Sequence, residues 1–268
     1  MTTPFRASPI IQWPGGKRRL LKRILPLLPA HKTYVEPFAG GAAVFFGKEP
    51  VKVEILNDWN TDLINLYRMV RSHTPELLRL LQQMPYSRDE FERLKLENPA
   101  TLTECQRAAR FFALQRMSFG AKVVSRVCGF DKGTDRARYL DPVWISEALH
   151  AAAKRLKQVQ LEHRDFAEIM RRFDGSDTLM FCDPPYWELT GYGVEFPLAR
   201  YQELATFARQ AKGAVFITVN DCPTMREVFA DLIIDCQLIK YTMAANHGKP
   251  YNETGELFIA NFNPPRPL

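Results

Sequence analysis

The segment Met180-Phe181-Cys182-Asp183-Pro184-Pro185-Tyr186-Trp187 sets a carboxylate, two prolines and two aromatic rings at the end of an apolar run. Proline fixes its own φ, restricts the residue before it and has no N–H to donate. The polar groups left at this turn are acceptors: the Asp183 carboxylate and the Pro184 carbonyl, beside Tyr186 and Trp187. Acceptors next to aromatic faces suit a planar group that donates two hydrogens, an exocyclic amine on a stacked base.

A second constellation is Val35-Glu36-Pro37-Phe38-Ala39-Gly40-Gly41-Ala42, an apolar run entering a small-residue turn. Small residues let the backbone approach a ligand closely, and a following helix offers unpaired N–H groups. Asp58 ends the next apolar run, 18 residues after Gly40. A carboxylate at that place suits a ribose diol, because it accepts two hydroxyl hydrogen bonds. No G-x-G-x-x-G occurs, so the pattern points to a nucleoside-containing ligand without the signature of NAD. The third constellation is Trp13-Pro14-Gly15-Gly16-Lys17. A phosphate loop needs an earlier glycine and a Ser or Thr after the lysine, and here Arg18 follows Lys17. The turn can still place Lys17 beside an anionic group of a ligand.

These residues need elements to hold them. Thr33–Phe38, Val51–Asn57, Val159–His163, Thr178–Cys182, Ala214–Asn220, Leu232–Tyr241 and Glu256–Phe262 read as strands, rich in Val, Ile and Phe. A turn and helix over Gly40–Gly47 separates the first two. The alternation of strands with helices predicts a parallel sheet covered by helices, with one antiparallel strand near the end. From Asp62 to about Leu156 the apolar spacing is helical: Leu63/Leu66/Tyr67/Val70, Leu77/Leu80/Leu81, Phe111/Phe112/Leu114, then Glu147–Leu156. Ser118–Pro142 contains Gly120, Gly129, Gly133 and many charges, and reads as an exposed loop or hairpin. The chain divides into a catalytic domain over 1–62 and 157–268 and a helical recognition domain over 63–156.

Composition narrows the function classes. With 268 residues, 46% apolar and 25% charged, the chain is long enough for a real core and excludes disorder, collagen and coiled coil. No apolar run approaches the roughly 20 residues of a membrane span. The first residues lack the apolar stretch and cleavage site of a secretory signal, so a cytoplasmic, membrane-free protein is expected. Cys105, Cys128, Cys182, Cys222 and Cys236 are scattered, as are His31, His73, His150, His163 and His247. Reduced buried thiols are expected, and no metal site. The Asn252-Glu253-Thr254 sequon has no meaning in that setting. The net charge of +6 is unevenly placed: residues 1–32 carry Arg6, Lys17, Arg18, Arg19, Lys22, Arg23 and Lys32 and no acidic residue. A second basic stretch holds Lys122, Arg126, Lys132, Arg136 and Arg138. Such patches suit a polyanion.

The order Trp-Pro-Gly-Gly-Lys, Glu-Pro-Phe-Ala-Gly-Gly, Asn57-Asp58-Trp59-Asn60-Thr61-Asp62-Leu63, Asp183-Pro184-Pro185-Tyr186 and Glu256-Leu257 resembles the DNA adenine-N6 methyltransferases of the Dam type, the D12 class. The resemblance runs over nearly the whole chain and is weakest at 118–142. It implies an α/β class I methyltransferase fold, Rossmann-like, with a mixed seven-stranded sheet and an inserted helical target-recognition domain. It also implies S-adenosylmethionine as methyl donor, with no metal. By matching position, Trp13 and Lys17 line the cofactor site, Phe38 and Gly40 form its floor, and Asp58 holds the ribose. Asp165 and Phe166 stand where the family contacts adenine. Asp183, Pro184 and Tyr186 form the catalytic loop, with Asp183 also bordering the cofactor. Many relatives have a further glycine at Ala42, whose methyl here tightens the turn.

The adenine N6 lone pair is delocalised into the ring, which makes the amine a poor nucleophile. Two acceptors on its hydrogens, Asp183 and the Pro184 carbonyl, draw the nitrogen towards a more basic state as attack begins. The base must leave the duplex to reach them, with Tyr186 as its stacking platform. The partner implied is double-stranded DNA, bound by a monomer. Arg116 and Phe119 match a phosphate contact and a wedge, and Lys122, Arg126, Arg136 and Arg138 add positive charge. The same loop could serve cytosine N4, and a silent nucleic-acid-binding relative would keep the fold. Relatives that methylate GATC carry an aromatic-Asn-Gly-Leu-x-Arg run and a Lys before the first Trp. Here the loop reads Phe119-Gly120-Ala121-Lys122-Val123-Val124 and Gln12 precedes Trp13, so a different or relaxed target is expected.

Overall fold

The computed structural model describes residues 7–118, 129–130, 141–188, 195–240 and 253–265. Seven strands form one sheet: β1 Thr33–Glu36, β2 Val53–Asn57, β3 Gln160–Glu162, β4 Thr178–Cys182, β5 Ala214–Asn220, β6 Ile233–Lys240 and β7 Glu253–Ala260. Their order is β3-β2-β1-β4-β5-β7-β6. All pairings from β3 to β5 are parallel, while β7 runs antiparallel between β5 and β6. The mixed seven-stranded sheet and the late antiparallel strand agree with the sequence reading. β7 begins three residues before the expected Glu256, because the ladder with β6 continues until Glu253 pairs with Lys240. The polar Glu-Thr-Gly stretch carries no apolar signal for that extension.

Helices cover both faces: α1 Leu21–Ile24, α2 Ala43–Gly47, α3 Thr61–Ser72, α4 Thr74–Gln82, α5 Arg88–Leu96, α6 Glu104–Met117, α7 Pro142–Leu156, α8 Phe166–Phe173, α9 Leu198–Gln210 and α10 Pro223–Val228. Alternate strand residues face opposite cores, as a pleat of period two requires. Tyr34, Leu56, Leu179, Phe181, Phe216 and Phe258 join one apolar cluster, with α3 and α7 residues such as Leu66, Val70 and Leu149. Val35, Ile55, Met180, Val215, Ile217, Leu257 and Ile259 join the other, against Ile169 of α8 and Leu204 of α9.

The helices between β2 and β3 are therefore not all separate from the sheet. A small independent cluster, Phe91, Leu94, Ala113, Leu114 and Met117, comes from α5 and α6, with Met84, Tyr86 and Phe130 packed against it. α7 begins at Pro142, five residues before the expected Glu147, because Asp141 caps it through Val143 N at 2.9 Å and Pro142 occupies the first turn. Ser118 and Phe130 form an antiparallel bridge at the edge of the expected loop. Phe119, Lys122, Arg126, Arg136 and Arg138 lie outside the described residues. No helix among the described residues is long and apolar enough to cross a membrane.

Candidate active site

In this sheet the chain leaves β1 to one side and returns to β4 on the other, so a crevice opens beyond their carboxyl ends. A cavity of about 330 Å³ occupies that place, lined by Trp13, Lys17, Glu36, Phe38, Gly40, Asp58, Trp59, Asp165, Phe166, Asp183 and Pro184. It falls in the ordinary size range of small-molecule sites.

Backbone hydrogen bonds build its floor. Asn57 at the end of β2 donates to the Pro37 carbonyl at 2.9 Å and exchanges hydrogen bonds with Arg164, tying the exits of β1 and β3 together. Ala39 N donates to the Asn57 carbonyl at 2.8 Å, and Gly40 N donates to Asp58 Oδ2 at 2.9 Å. Tyr67 of α3 donates to the Gly40 carbonyl at 2.7 Å, so α3 touches the floor directly. Gly40 has φ +48°, and a Cβ there would stand 2.7 Å from Trp13 Cδ1 and Nε1. Trp13 is held by its own turn, in which Gly16 N donates to Trp13 O at 3.0 Å and Gly15 adopts φ 71°. Ala42 also lies in the left-handed region, with φ 51°, although it carries a methyl group. That conformation costs an L residue about 1–2 kcal/mol. It starts α2 in the tight turn closed by Ala42 N to Ala39 O at 2.6 Å.

Asp58 accepts Gly40 N on one oxygen and Asn60 N, at 2.8 Å, on the other. A carboxylate has about four acceptor sites, so room remains for a diol. Burial pushes its carboxyl above the usual range, with the N–H groups of Gly40, Asn60 and Trp59 opposing the shift. Phe38, Phe166 and Phe196 pack ring against ring at centroid distances of 4.9–5.6 Å. Asp165 caps α8 through Ala167 N at 2.9 Å and pairs with Arg200, whose guanidinium lies 4.3 Å from the Phe166 ring centre. Burial raises the Asp165 carboxyl, but Arg200 and Ala167 N outweigh it and leave it below the ordinary value.

The acceptor turn after β4 is held from several sides. Trp187 N donates to Asn220 Oδ1 at 2.9 Å, Asn220 returns a bond to the Trp187 carbonyl, and Tyr201 donates to the Pro185 carbonyl. Asp183 Oδ1 accepts from Lys17 Nζ at 2.6 Å and from Thr218 Oγ1 at 3.0 Å. Burial raises the Asp183 carboxyl above its ordinary range, and the Lys17 ammonium opposes this. Lys17 is 3% exposed, and it also donates to the Gly15 carbonyl at 2.8 Å and Tyr186 Oη at 2.9 Å.

Three sequence expectations change here. The anionic group beside Lys17 is the protein's own Asp183, because the turn after Trp13 aims the ammonium at the end of β4. Tyr186 is 8% exposed, with its hydroxyl in the Lys17 cluster, and its ring is absent from the cavity lining. The ring expected to stack a base is thus turned inward in this structure. Arg116 is 7% exposed and lies 4.1 Å from the Trp144 ring centre and 5.7 Å from that of Phe112. Its flat cation is covered by α7, where burial and cation–π packing remove it from a phosphate-facing surface. Trp13, Lys17, Phe38, Gly40, Asp58, Asp165, Phe166, Asp183 and Pro184 all reach the cavity wall.

Sequence reading missed Thr218 and Arg200, and it left Glu36 and Glu256 without separate roles. A signal existed for two of them: Thr218 and Glu256 are polar residues at strand positions where the alternation calls for apolar ones. Glu36 accepts Tyr34 Oη and Phe45 N, both at 2.7 Å, on the same oxygen. Burial pushes its carboxyl from 4.5 up to about 8. A folded-state value raised in this way favours the protonated form, so its contribution is intact below about pH 4.5 and is lost between 4.5 and 8. Glu36→Gln keeps an acceptor oxygen and removes the ionisation. We expect the variant to gain up to about 4 kcal/mol on wild type between pH 5 and pH 9, at about 1.4 kcal/mol for each of the three units from 5 to 8. Urea unfolding at both pH values measures this, and equal differences at the two would refute it.

Strand order, the reversed β7 and a nucleoside-sized cavity beyond β1, β2 and β4 together define a class I methyltransferase fold. Comparison with known proteins matches residues 13–245 to the D12 class N6 adenine-specific DNA methyltransferases, and the chain belongs to that family. It is 30% identical over 237 residues to the DNA N-6-adenine-methyltransferase of Escherichia phage P1, covering 83% of this chain and 31% of the phage protein. It is 27% identical to the DNA adenine methylase of Serratia marcescens, covering 88% of this chain and 92% of that enzyme. A type II methyltransferase of Paramecium bursaria Chlorella virus NC1A is 27% identical over 95% of this chain and 100% of its own length. The chain thus spans about a third of the phage relative and nearly all of the other two.

Proposed function

We propose that this protein transfers a methyl group from S-adenosylmethionine to the N6 amine of adenine in double-stranded DNA, acting as a cytoplasmic monomer. The observation that carries the reading is Asp183. It is a half-buried carboxylate, anchored through one oxygen, at the edge of a nucleoside-sized cavity. The cavity fits the donor: aromatic rings at Phe38 and Phe166 suit its base, Asp58 its ribose, and the surrounding carboxylates its cationic sulfur. Trp13 and Gly40 bring the floor close to it, and Lys17 keeps Asp183 in place. When bound, the donor supplies an activated methyl group, so the protein needs neither a metal nor a covalent nucleophile.

The chain's own work is to position the amine and accept its hydrogens. Asp183 Oδ1 is committed to Lys17 and Thr218, which leaves Oδ2 for one N6 hydrogen. The Pro184 carbonyl takes the other. Lys17 and Thr218 fix the Asp183 carboxylate, and Asn220 and Tyr201 hold the turn that follows at Trp187 and Pro185, so little reorganisation accompanies the attack. Tyr186 stacks on the flipped base after its hydroxyl leaves the Lys17 cluster. The recognition unit comprises α4–α6 and residues 118–141, with α3 and α7 as the shared wall. Phe119, Lys122, Arg126, Arg136 and Arg138, with the exposed Arg18, Arg19, Lys22 and Arg23, supply the charge that holds phosphates.

Incubation with labelled S-adenosylmethionine and unmethylated plasmid, followed by nucleoside analysis and direct mapping of modified bases, tests the whole reading. N6-methyladenine at sites other than GATC, or beyond it, is expected, with activity falling steeply as salt rises. N4-methylcytosine would transfer the loop to the other amine. No modified base would leave a DNA-binding relative without activity. Methylation confined to GATC would refute the target expectation alone.

A further inference from the structure

Glu256 is a carboxylate at an apolar position. On β7 it has the parity of Phe258 and Ala260, which face the core shared with α3 and α7. It is 1% exposed and pairs in register with Asn220 of β5 and Gln237 of β6. A buried carboxylate is a poor way to stabilise a sheet, since an apolar residue of similar volume often does as well or better. Its Oε1 lies 3.2 Å from Lys17 Nζ, the same ammonium that sits 2.6 Å from Asp183 Oδ1. One buried cation is therefore shared between a buried carboxylate, Glu256, and the half-buried Asp183.

We infer that Glu256 is a positioning residue for the methyl-transfer site, which holds part of the Lys17 charge away from Asp183 and so keeps Asp183 a strong acceptor. This rests on the proposed role of Asp183. If Lys17 faced Asp183 alone, a one-to-one ion pair at this separation would lower the basicity of the carboxylate. A weaker acceptor draws less electron density towards the N6 nitrogen, and it takes the departing proton less readily. Glu256 competes for the same ammonium at 3.2 Å. It leaves Lys17 fixed by Gly15 and Asp183 while dividing its charge.

Among the described residues, few other charges stand near Lys17 and Asp183. From β4, Cys182 adjoins Asp183, and Glu36 at the end of β1 feels the Asp183 charge. Tyr186 meets both Lys17 and Glu256, and Thr218 of β5 is uncharged. Burial raises the Glu256 carboxyl, Lys17 lowers it, and Asp183 raises it again, so the two carboxylates interact as well as share a cation. Glu36 is held by Tyr34 and the Phe45 N–H, so beside Asp183 it is Glu256 that stands as the second counter-charge in contact with the ammonium.

The test compares single-turnover methylation of unmethylated plasmid at saturating S-adenosylmethionine from pH 5 to 9 in wild type, Glu256→Gln and Glu256→Asp. In Glu256→Gln the like charge is gone and Lys17 belongs to Asp183 alone. Its acid limb should move down by about one pH unit and its plateau fall about tenfold. Cofactor affinity, read by calorimetry, should stay within about threefold, which a purely structural loss would not produce. Glu256→Asp keeps the charge but withdraws it by one methylene, so a partial shift in the same direction is expected. It decides the matter if Glu256→Gln does not fold. An acid limb at the wild-type position in the folded variants overturns the inference, whatever happens to rate or affinity. Wild-type protein that makes no N6-methyladenine would overturn the functional reading and this inference together, whereas normal wild-type methylation with unmoved limbs overturns this inference alone.

Discussion

Replacement of Asp183 by Ala is expected to lower the rate of methyl transfer to DNA at least a thousandfold while the protein stays folded. The carboxylate accepts an amine hydrogen at the moment the nitrogen attacks, and preorganised groups of this kind are worth roughly two to three orders of magnitude. Loss of the proton acceptor adds roughly another two. Folding should survive because the substitution does not orphan a buried charge. Lys17 keeps Glu256 at 3.2 Å, the Gly15 carbonyl and the Tyr186 hydroxyl. Thr218 loses a partner, but a hydroxyl can rotate towards another acceptor. Single-turnover kinetics with labelled donor, beside a thermal melt, measures both parts. Turnover above about a tenth of wild type would end the role given to this carboxylate. A collapsed melt would show instead that the Lys17 cluster is first of all a structural device.

The second large effect concerns one methyl group. Gly40→Ala places a Cβ 2.7 Å from two atoms of the Trp13 ring, at a backbone φ of +48°. The left-handed conformation costs about 1–2 kcal/mol for an alanine. The clash is not with the free end of a flexible chain. Trp13 is a flat ring anchored by the turn through Gly16, and the Gly40 peptide is pinned at both ends by Asp58 and Tyr67. Either the ring or the floor must move, and both form the cavity wall. We expect a stability loss of about 2–4 kcal/mol, within the range of overpacking plus backbone strain. Cofactor affinity should fall at least a hundredfold. Isothermal calorimetry with S-adenosylmethionine and a urea melt separate the two effects, and an affinity within threefold of wild type would refute the prediction. The contrast with Ala42 is instructive. It also has positive φ, but its methyl is buried within the apolar cluster, so the same backbone strain is tolerated there.

The sequence by itself determined the strands to within a few residues, because an apolar run bounded by Pro, Gly and Asp is a local signal. It determined the three constellations as well, since Trp13–Lys17, Glu36–Ala42 and Asp183–Tyr186 are each contiguous, and contiguous residues must share a turn. It also showed which groups are acceptors, because proline removes donors wherever the chain goes. Only the tertiary structure decided which constellations meet. Lys17 and Asp183 are 166 positions apart, and nothing local announces a pairing over that distance. The same holds for Glu256, which is brought to Lys17 by the insertion of β7 between β5 and β6. Burial was decided there too. Arg116 and Tyr186 have residue types that suit an exposed surface, and the packing of Trp144 and Lys17 against them turned both inward. Side-chain chemistry is written in the residue, but its partner and its exposure belong to the sheet order, because only the folded chain sets the distances and the solvent around each charge.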